Sequence, residues 1–284
     1  MSGDAIDVAK LLLAYWRTLI ARDPTMSFMD RFAAEIVSLQ VRLYSARARL
    51  EARTDGEALH DLRIAVRRIR SLLKPLRSVA EMDALSKAAA DVGQQTTPAR
   101  DLEVLIHELE KRTYSKLAQP RRSQLSHSYD AILTGSPLRR LMVALDEWPA
   151  EFRAVEFNHG WARIQSRIRK ALHRQVDRLH EAIEDKAYDR HQMRVLVKRT
   201  RYLTEAFPAL SPLSRNEAKI LKELQSALGN WHDHYQWSLK AQTEKDLHPL
   251  RRVWKEGADS ALEEAEALLL KATKLLPKSS KRAA

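Results

Sequence analysis

The chain has 284 residues, with 49 Lys and Arg against 37 Asp and Glu, a formal net charge of +12 and a pI near 9.9. No cysteine is present, which excludes disulfides and thiolate metal sites and fits a reducing, cytoplasmic compartment. A 44% hydrophobic content excludes a disordered chain, and no apolar run approaches the roughly 18 residues a membrane span needs.

The elements are predicted in chain order from helical periodicity, since only 7 glycines interrupt a chain dominated by good helix formers. Residues 1–25 read as an extra N-terminal helix. Asp4 and Asp7 in Met1–Lys10 are unlike the basic start of a secretory signal. Helices follow near 26–53 and 57–79, with Pro75 expected to kink or end the second. Further breaks are predicted at Thr97-Pro98, Gln119-Pro120, Gly135-Ser136-Pro137 and Asn158-His159-Gly160. Two long helices then cover 161–187 and 189–207. Phe207-Pro208 through Ser211-Pro212 and Gly229-Asn230 are the last predicted breaks. Residues 277–284 read as a flexible basic tail.

The chain repeats internally. The stretch from His60 to Arg70, His-Asp-Leu-Arg-Ile-Ala-Val-Arg-Arg-Ile-Arg, matches His191 to Arg201, His-Gln-Met-Arg-Val-Leu-Val-Lys-Arg-Thr-Arg, without a gap. Arg100-Asp101 similarly matches His232-Asp233. Such spacing predicts a duplicated helical bundle rather than a solenoid.

Within the first copy, His60, Arg63, Arg67, Arg70, Lys74 and Arg77 are three or four residues apart and share one helix face. Leu59, Leu62, Val66, Ile69, Leu73 and Leu76 follow the same steps one residue earlier, so an apolar seam lies beside the basic row. His191, Arg194, Lys198 and Arg201 repeat the row. A third run, Arg163, Arg167, Lys170, Arg174 and Arg178, also shares a face; Arg42, Arg49 and Arg53 are its weaker counterpart, with Arg47 off the line. Like charges at these spacings repel, so rows with few acids predict an elongated external anion. Guanidinium forks and ammonium groups suit phosphate oxygens.

The two His-x-x-Arg-x-x-x-Arg/Lys-Arg-x-Arg motifs, with Arg100-Asp101 after one and His232-Asp233 after the other, resemble the conserved-histidine α-helical domain (CHAD) family over roughly residues 26–270. The resemblance implies an all-α fold of two pseudo-twofold-related four-helix bundles, residues 26–150 and 151–276, around a basic central cleft. It implies inorganic polyphosphate as ligand and, in some members, association with polyphosphate granules. Carried over by position, His60, Arg63, Arg67, Arg68 and Arg70 fall on the first motif; His191, Arg194, Lys198, Arg199 and Arg201 fall on the second. Thr200 departs from the family, standing where an apolar residue is usual and predicting looser packing. His232 also departs.

Lys74 and the third run, Arg163, Arg167, Lys170 and Arg174, complete the predicted phosphate-contacting set. His60 and His191 could be phosphate contacts, structural residues or metal ligands; flanking arginines argue against a metal, and none is predicted. Asp101 and Asp233 read as orienting partners of Arg or His. No glycine-rich phosphate loop and no carboxylate cluster for two-metal hydrolysis is found, so no cofactor and no enzymatic activity are predicted. A nucleic-acid-binding helical protein is the alternative, weakened by the scarcity of aromatic residues in the basic rows. The sequence leaves the oligomeric state open.

Overall fold

A computed structural model describes residues 27–276, apart from the side chains of 156–159. The helix predicted over 1–25 and the basic tail over 277–284 lie outside the described residues. Every regular element among the described residues is helical. The α-helices are α1 (Phe28–Ala52), α2 (Ala58–Leu73), α3 (Asp83–Gln95), α4 (Thr97–Lys111), α5 (Ser115–Thr134), α6 (Ser136–His159), α7 (Trp161–Glu184), α8 (Arg190–Ala206), α9 (Arg215–Thr243) and α10 (Arg251–Leu275). Ser27 opens α1 and Ser214 opens α9 with reciprocal capping boxes closed by Asp30 and Glu217.

The local chemistry explains where the helices stop. Pro75 ends α2 at Leu73, and the chain continues as a 3₁₀ turn, Lys74–Leu76. Gly160, at φ 67°, ends α6.

Two predicted breaks are absent. Pro120 lies inside α5, in the second turn, where its missing N–H deprives only the exposed Lys116 carbonyl. The break falls earlier, at Thr113, whose left-handed backbone (φ 66°) lets the Tyr114 N–H donate to the Leu109 carbonyl at 2.8 Å. Gly229 likewise lies inside α9, and a Cβ there would meet nothing within 4 Å. Gly229→Ala is therefore expected to stabilise the protein by about 0.5–1 kcal/mol, read as a rise of roughly 1–2 °C in calorimetric Tm.

The described chain forms two compact units. Unit 1 comprises residues up to Arg70, then Val79–Thr97 and Tyr129–Trp161. It buries Phe32, Ile36, Leu39 and Leu43 of α1, Leu59, Leu62, Val66 and Ile69 of α2, and Leu85 and Val92 of α3. Phe32, Trp148, Phe152 and Trp161 form a run of ring contacts with centroids 4.7–6.2 Å apart.

Unit 2 comprises Ser71–Ser78, Pro98–Ser128 and the chain from Ala162 onward. One core cluster includes Leu179 of α7, Met193 and Val197 of α8, Leu224 and Trp231 of α9, and Ala261 and Ala265 of α10. A second gathers Leu105 and Leu109 of α4, Ala118 of α5, Trp237 of α9 and Trp254 of α10. Trp231 and Trp237 are thus core residues. The end of α2 and its 3₁₀ turn belong to unit 2, which brings Lys74 and Arg77 beside α7 and α8.

Candidate phosphate-binding site

In unit 1, the seam predicted on α2 is buried from Leu59 through Ile69, and the basic row lies alongside it. Several of its cations are already engaged within the protein. Arg63 donates from Nη1 to the Gly93 carbonyl (3.3 Å), to Thr96 Oγ1 (2.6 Å) and to Thr97 Oγ1 (3.2 Å), holding a positive charge at the C-terminus of α3. Arg70 lies over Gly93, where a Cβ would sit 2.6 Å from its Nη1, so the absent side chain admits the guanidinium. Arg68 is ion-paired with Glu35 at 3.0 Å. His60 and Arg67 are half-buried on the same helix.

The weaker run on α1 is committed to carboxylates. Arg49 pairs with Asp55 (3.1 Å) and Asp61 (2.5 Å), Arg53 with Asp130 (2.6 Å), and Arg47 with Glu51 (3.8 Å). Asp61, the one acid inside the first basic row, is thereby accounted for.

Unit 2 holds a different arrangement. Lys74 leaves the 3₁₀ turn and donates to Gln175 Oε1 of α7 at 3.1 Å. Burial and the neighbouring charges of Arg199, Arg77 and Arg178 lower the pKa of its ammonium to about 8. Among the described residues, none of Arg77, Arg178 and Arg199 is ion-paired with a carboxylate, and all three are exposed. Four cations from the α2 end, α7 and α8 thus share one region without an anion between them.

Farther along α7, Arg167 donates to Ser78 Oγ at 3.2 Å, and Arg163 is exposed. Lys170 and Arg174 line an open hollow of about 420 Å³ with Arg169 and His173.

The rest of the α8 row is partly quenched. Arg201 pairs with Glu205 at 2.7 Å and lies over the Tyr202 ring. Arg194 and Lys198 face Asp233, whose pKa is raised by burial and by Asp101 against the pull of these two cations. His191 Nδ1 is 3.3 Å from His232 Nδ1, and the His191 ring packs 4.6 Å from Trp231 and 5.1 Å from Tyr235. Burial, with Arg194, His191 and Lys198 nearby, lowers the His232 pKa to about 4, so that ring is neutral at pH 7. No group of three His, Asp or Glu side chains among the described residues is placed to hold a metal ion.

The CHAD domain family model matches residues 35–242, most of the chain. The chain belongs to the CHAD family. A solved relative, the crystal structure of the CHAD domain from the plant Ricinus communis, superposes with a TM-score of 0.65 at 22% identity, covering 88% of this chain and 91% of the other. That likeness establishes a shared helical fold. No curated protein matches the chain. No helix among the described residues is long and apolar enough to cross a membrane.

Sequence reasoning put Arg77 and Arg178 in the basic rows of this CHAD chain but not in its phosphate-contacting set, and gave Gln175 and Thr200 no part in the site. The two arginines continue their rows at helical spacing and were visible by that rule. Gln175 and Thr200 show a quieter signal: each is a polar residue in an apolar stripe, Ile164, Ile168, Leu172 and Leu179 on α7, and Met193, Val197 and Leu203 on α8. Thr200 does not loosen the packing. It is fully buried, accepts from Gln175 Nε2 at 3.1 Å and donates to the Leu196 carbonyl at 2.9 Å.

The Lys74 shift has a sign that can be measured. Between about pH 8 and its ordinary value of 10.5, the unfolded chain binds this proton and the folded chain does not. Ligand-free stability gains from this residue as pH rises through that window. Lys74→Met is accordingly expected to be more stable than the parent below pH 8, with the gap narrowing toward pH 10.5 in urea titrations.

Proposed function

We propose that this CHAD chain binds inorganic polyphosphate without acting on it, and that this binding associates it with polyphosphate granules in the cytoplasm. The observation that carries the reading is the Lys74 ammonium set among Arg77, Arg178 and Arg199 with a lowered pKa. Such a cluster is electrostatically unfavourable in the isolated protein, and a polyanion relieves it. Lys170 and Arg174 beside their hollow, with Arg163 and Arg167, extend the cationic surface of α7. His60, Arg63, Arg67, Arg68 and Arg70 on α2, and His191, Arg194, Lys198, Arg199 and Arg201 on α8, are the further proposed contacts. Those already engaged within the protein are expected to contribute less than Lys74, Arg178 and Arg199.

The test is a binding titration with long-chain polyphosphate, competed separately by duplex DNA, single-stranded DNA and heparin. Polyphosphate is expected to bind with an affinity that falls steeply with salt, because counterions condensed on the polymer are released. DNA is expected to compete poorly. Equal displacement by DNA would replace this reading with a nucleic-acid-binding one. Release of orthophosphate by the purified protein would overturn the non-enzymatic assignment.

A further inference from the structure

We propose that Gln175 is a positioning residue for Lys74: its side-chain oxygen holds the ammonium within the guanidinium cluster as a neutral acceptor, so the site keeps its full positive charge for a phosphate polymer. The inference rests on the binding function proposed above and adds a device that sets its charge and its pH range.

The amide orientation follows from the hydrogen-bond network. A hydroxyl has one proton to donate, and that of Thr200 goes to the Leu196 carbonyl, four residues back on α8, at 2.9 Å. Thr200 Oγ1 must then accept from Gln175, so the amide nitrogen faces Thr200 at 3.1 Å. The amide oxygen is left to face Lys74, also at 3.1 Å. Both relay residues are buried, Gln175 at 7% exposure and Thr200 at 0%, so water competes little with this arrangement. The relay joins the 3₁₀ turn after α2 to α7 and α8, the elements that carry Arg77, Arg178 and Arg199.

The choice of acceptor matters because of what surrounds it. With an apolar residue at 175, the ammonium loses its acceptor among three guanidiniums and gives up its proton at lower pH. With a carboxylate there, the ammonium is held more firmly and one positive charge is cancelled. The neutral amide orients the ammonium at no cost in charge. A bound phosphate chain favours the protonated amine, so binding takes up a proton once pH exceeds the free pKa, which burial and the three arginines set at about 8. Above that point affinity falls by up to about tenfold per pH unit.

The test follows Lys74 directly in the full chain. Its acetylation by acetic anhydride is read by peptide mass spectrometry between about pH 6 and 11, alongside titrations with long-chain polyphosphate over the same range. The parent is expected to show a labelling midpoint near 8. Gln175→Glu is expected to raise it by roughly one unit or more, weaken polyphosphate binding at pH 7, and reduce the salt dependence by about one phosphate contact. Gln175→Met is expected to lower the midpoint, and with it the pH at which affinity declines. If Gln175→Met does not fold, Thr200→Val decides, since it frees the amide to turn; Thr200→Ser keeps the hydroxyl and should track the parent. Folded variants with unmoved midpoints and unmoved binding profiles overturn the proposal. A parent that binds no polyphosphate overturns the proposed function, while the labelling midpoints still decide whether Gln175 positions Lys74.

Discussion

Changing Arg178 and Arg199 together to alanine is expected to weaken long-chain polyphosphate binding by about 100-fold or more at moderate salt. Charge-assisted hydrogen bonds contribute roughly 1.5–3 kcal/mol each, and each tenfold in affinity corresponds to about 1.4 kcal/mol. Two lost contacts therefore amount to roughly two to four decades. The slope of log affinity against log salt should flatten by about 0.7–0.9 per contact removed. Neither residue supports the core, because both side chains are exposed on α7 and α8. Melting temperature should not fall below the parent value, and relief of the repulsion on Lys74 should raise it at pH 7. A second readout comes from Lys74: with two of its three repelling neighbours gone, its pKa should rise from about 8 toward 10.5. Unchanged affinity in the double variant would show that the polymer binds elsewhere. A parallel Arg68→Ala and Arg201→Ala double variant should lose much less, since Glu35 and Glu205 already offset those charges.

The contrast between these pairs shows what the sequence made visible. The periodicity of α2 placed Leu59, Leu62, Val66 and Ile69 on one face and His60, Arg63 and Arg67 beside it, because a regular helix maps spacing directly onto direction. Pro75 announced the end of that helix by a local mechanism. Pairing is not local. Nothing near Arg68 or Arg63 in the chain points to Glu35, or to the Gly93 carbonyl and Thr96, which tertiary packing brings to them. The failures at Pro120 and Gly229 have the same origin. A proline in the second turn and a glycine on an open face are tolerated once packing elsewhere along α5 and α9 holds the helix. Gln175 and Thr200 were legible as polar interruptions of apolar stripes, but their roles required the lysine that completes the relay.

Trp254→Ala is expected to have the largest effect on stability, a loss of about 3–5 kcal/mol in urea unfolding and a fall of roughly 5–8 °C in Tm. The indole is fully buried on α10 and packs 5.8 Å from the Trp237 ring of α9, in the cluster that also holds Leu105 and Leu109 of α4 and Ala118 of α5. Removing it leaves a cavity among helices from two separate stretches of chain, which cannot all close on it at once. A polar cost adds to the cavity. Trp254 Nε1 donates to Glu108 Oε1 at 3.2 Å, and Glu108 is only 8% exposed. Without the indole, Arg112 is the one partner among the described residues that remains to offset that carboxylate. Trp254→Phe keeps most of the volume but not the donor, so it should lie between the parent and alanine and isolate the hydrogen-bond contribution. A loss below about 1 kcal/mol for alanine would show that the cluster collapses freely around the gap. The total stability of a domain is about 5–15 kcal/mol, so the expected loss removes a large share of it. Polyphosphate affinity, measured where the variant is still folded, should change little, because Trp237 and Glu108, which the indole contacts, are not among the residues proposed to bind the polymer.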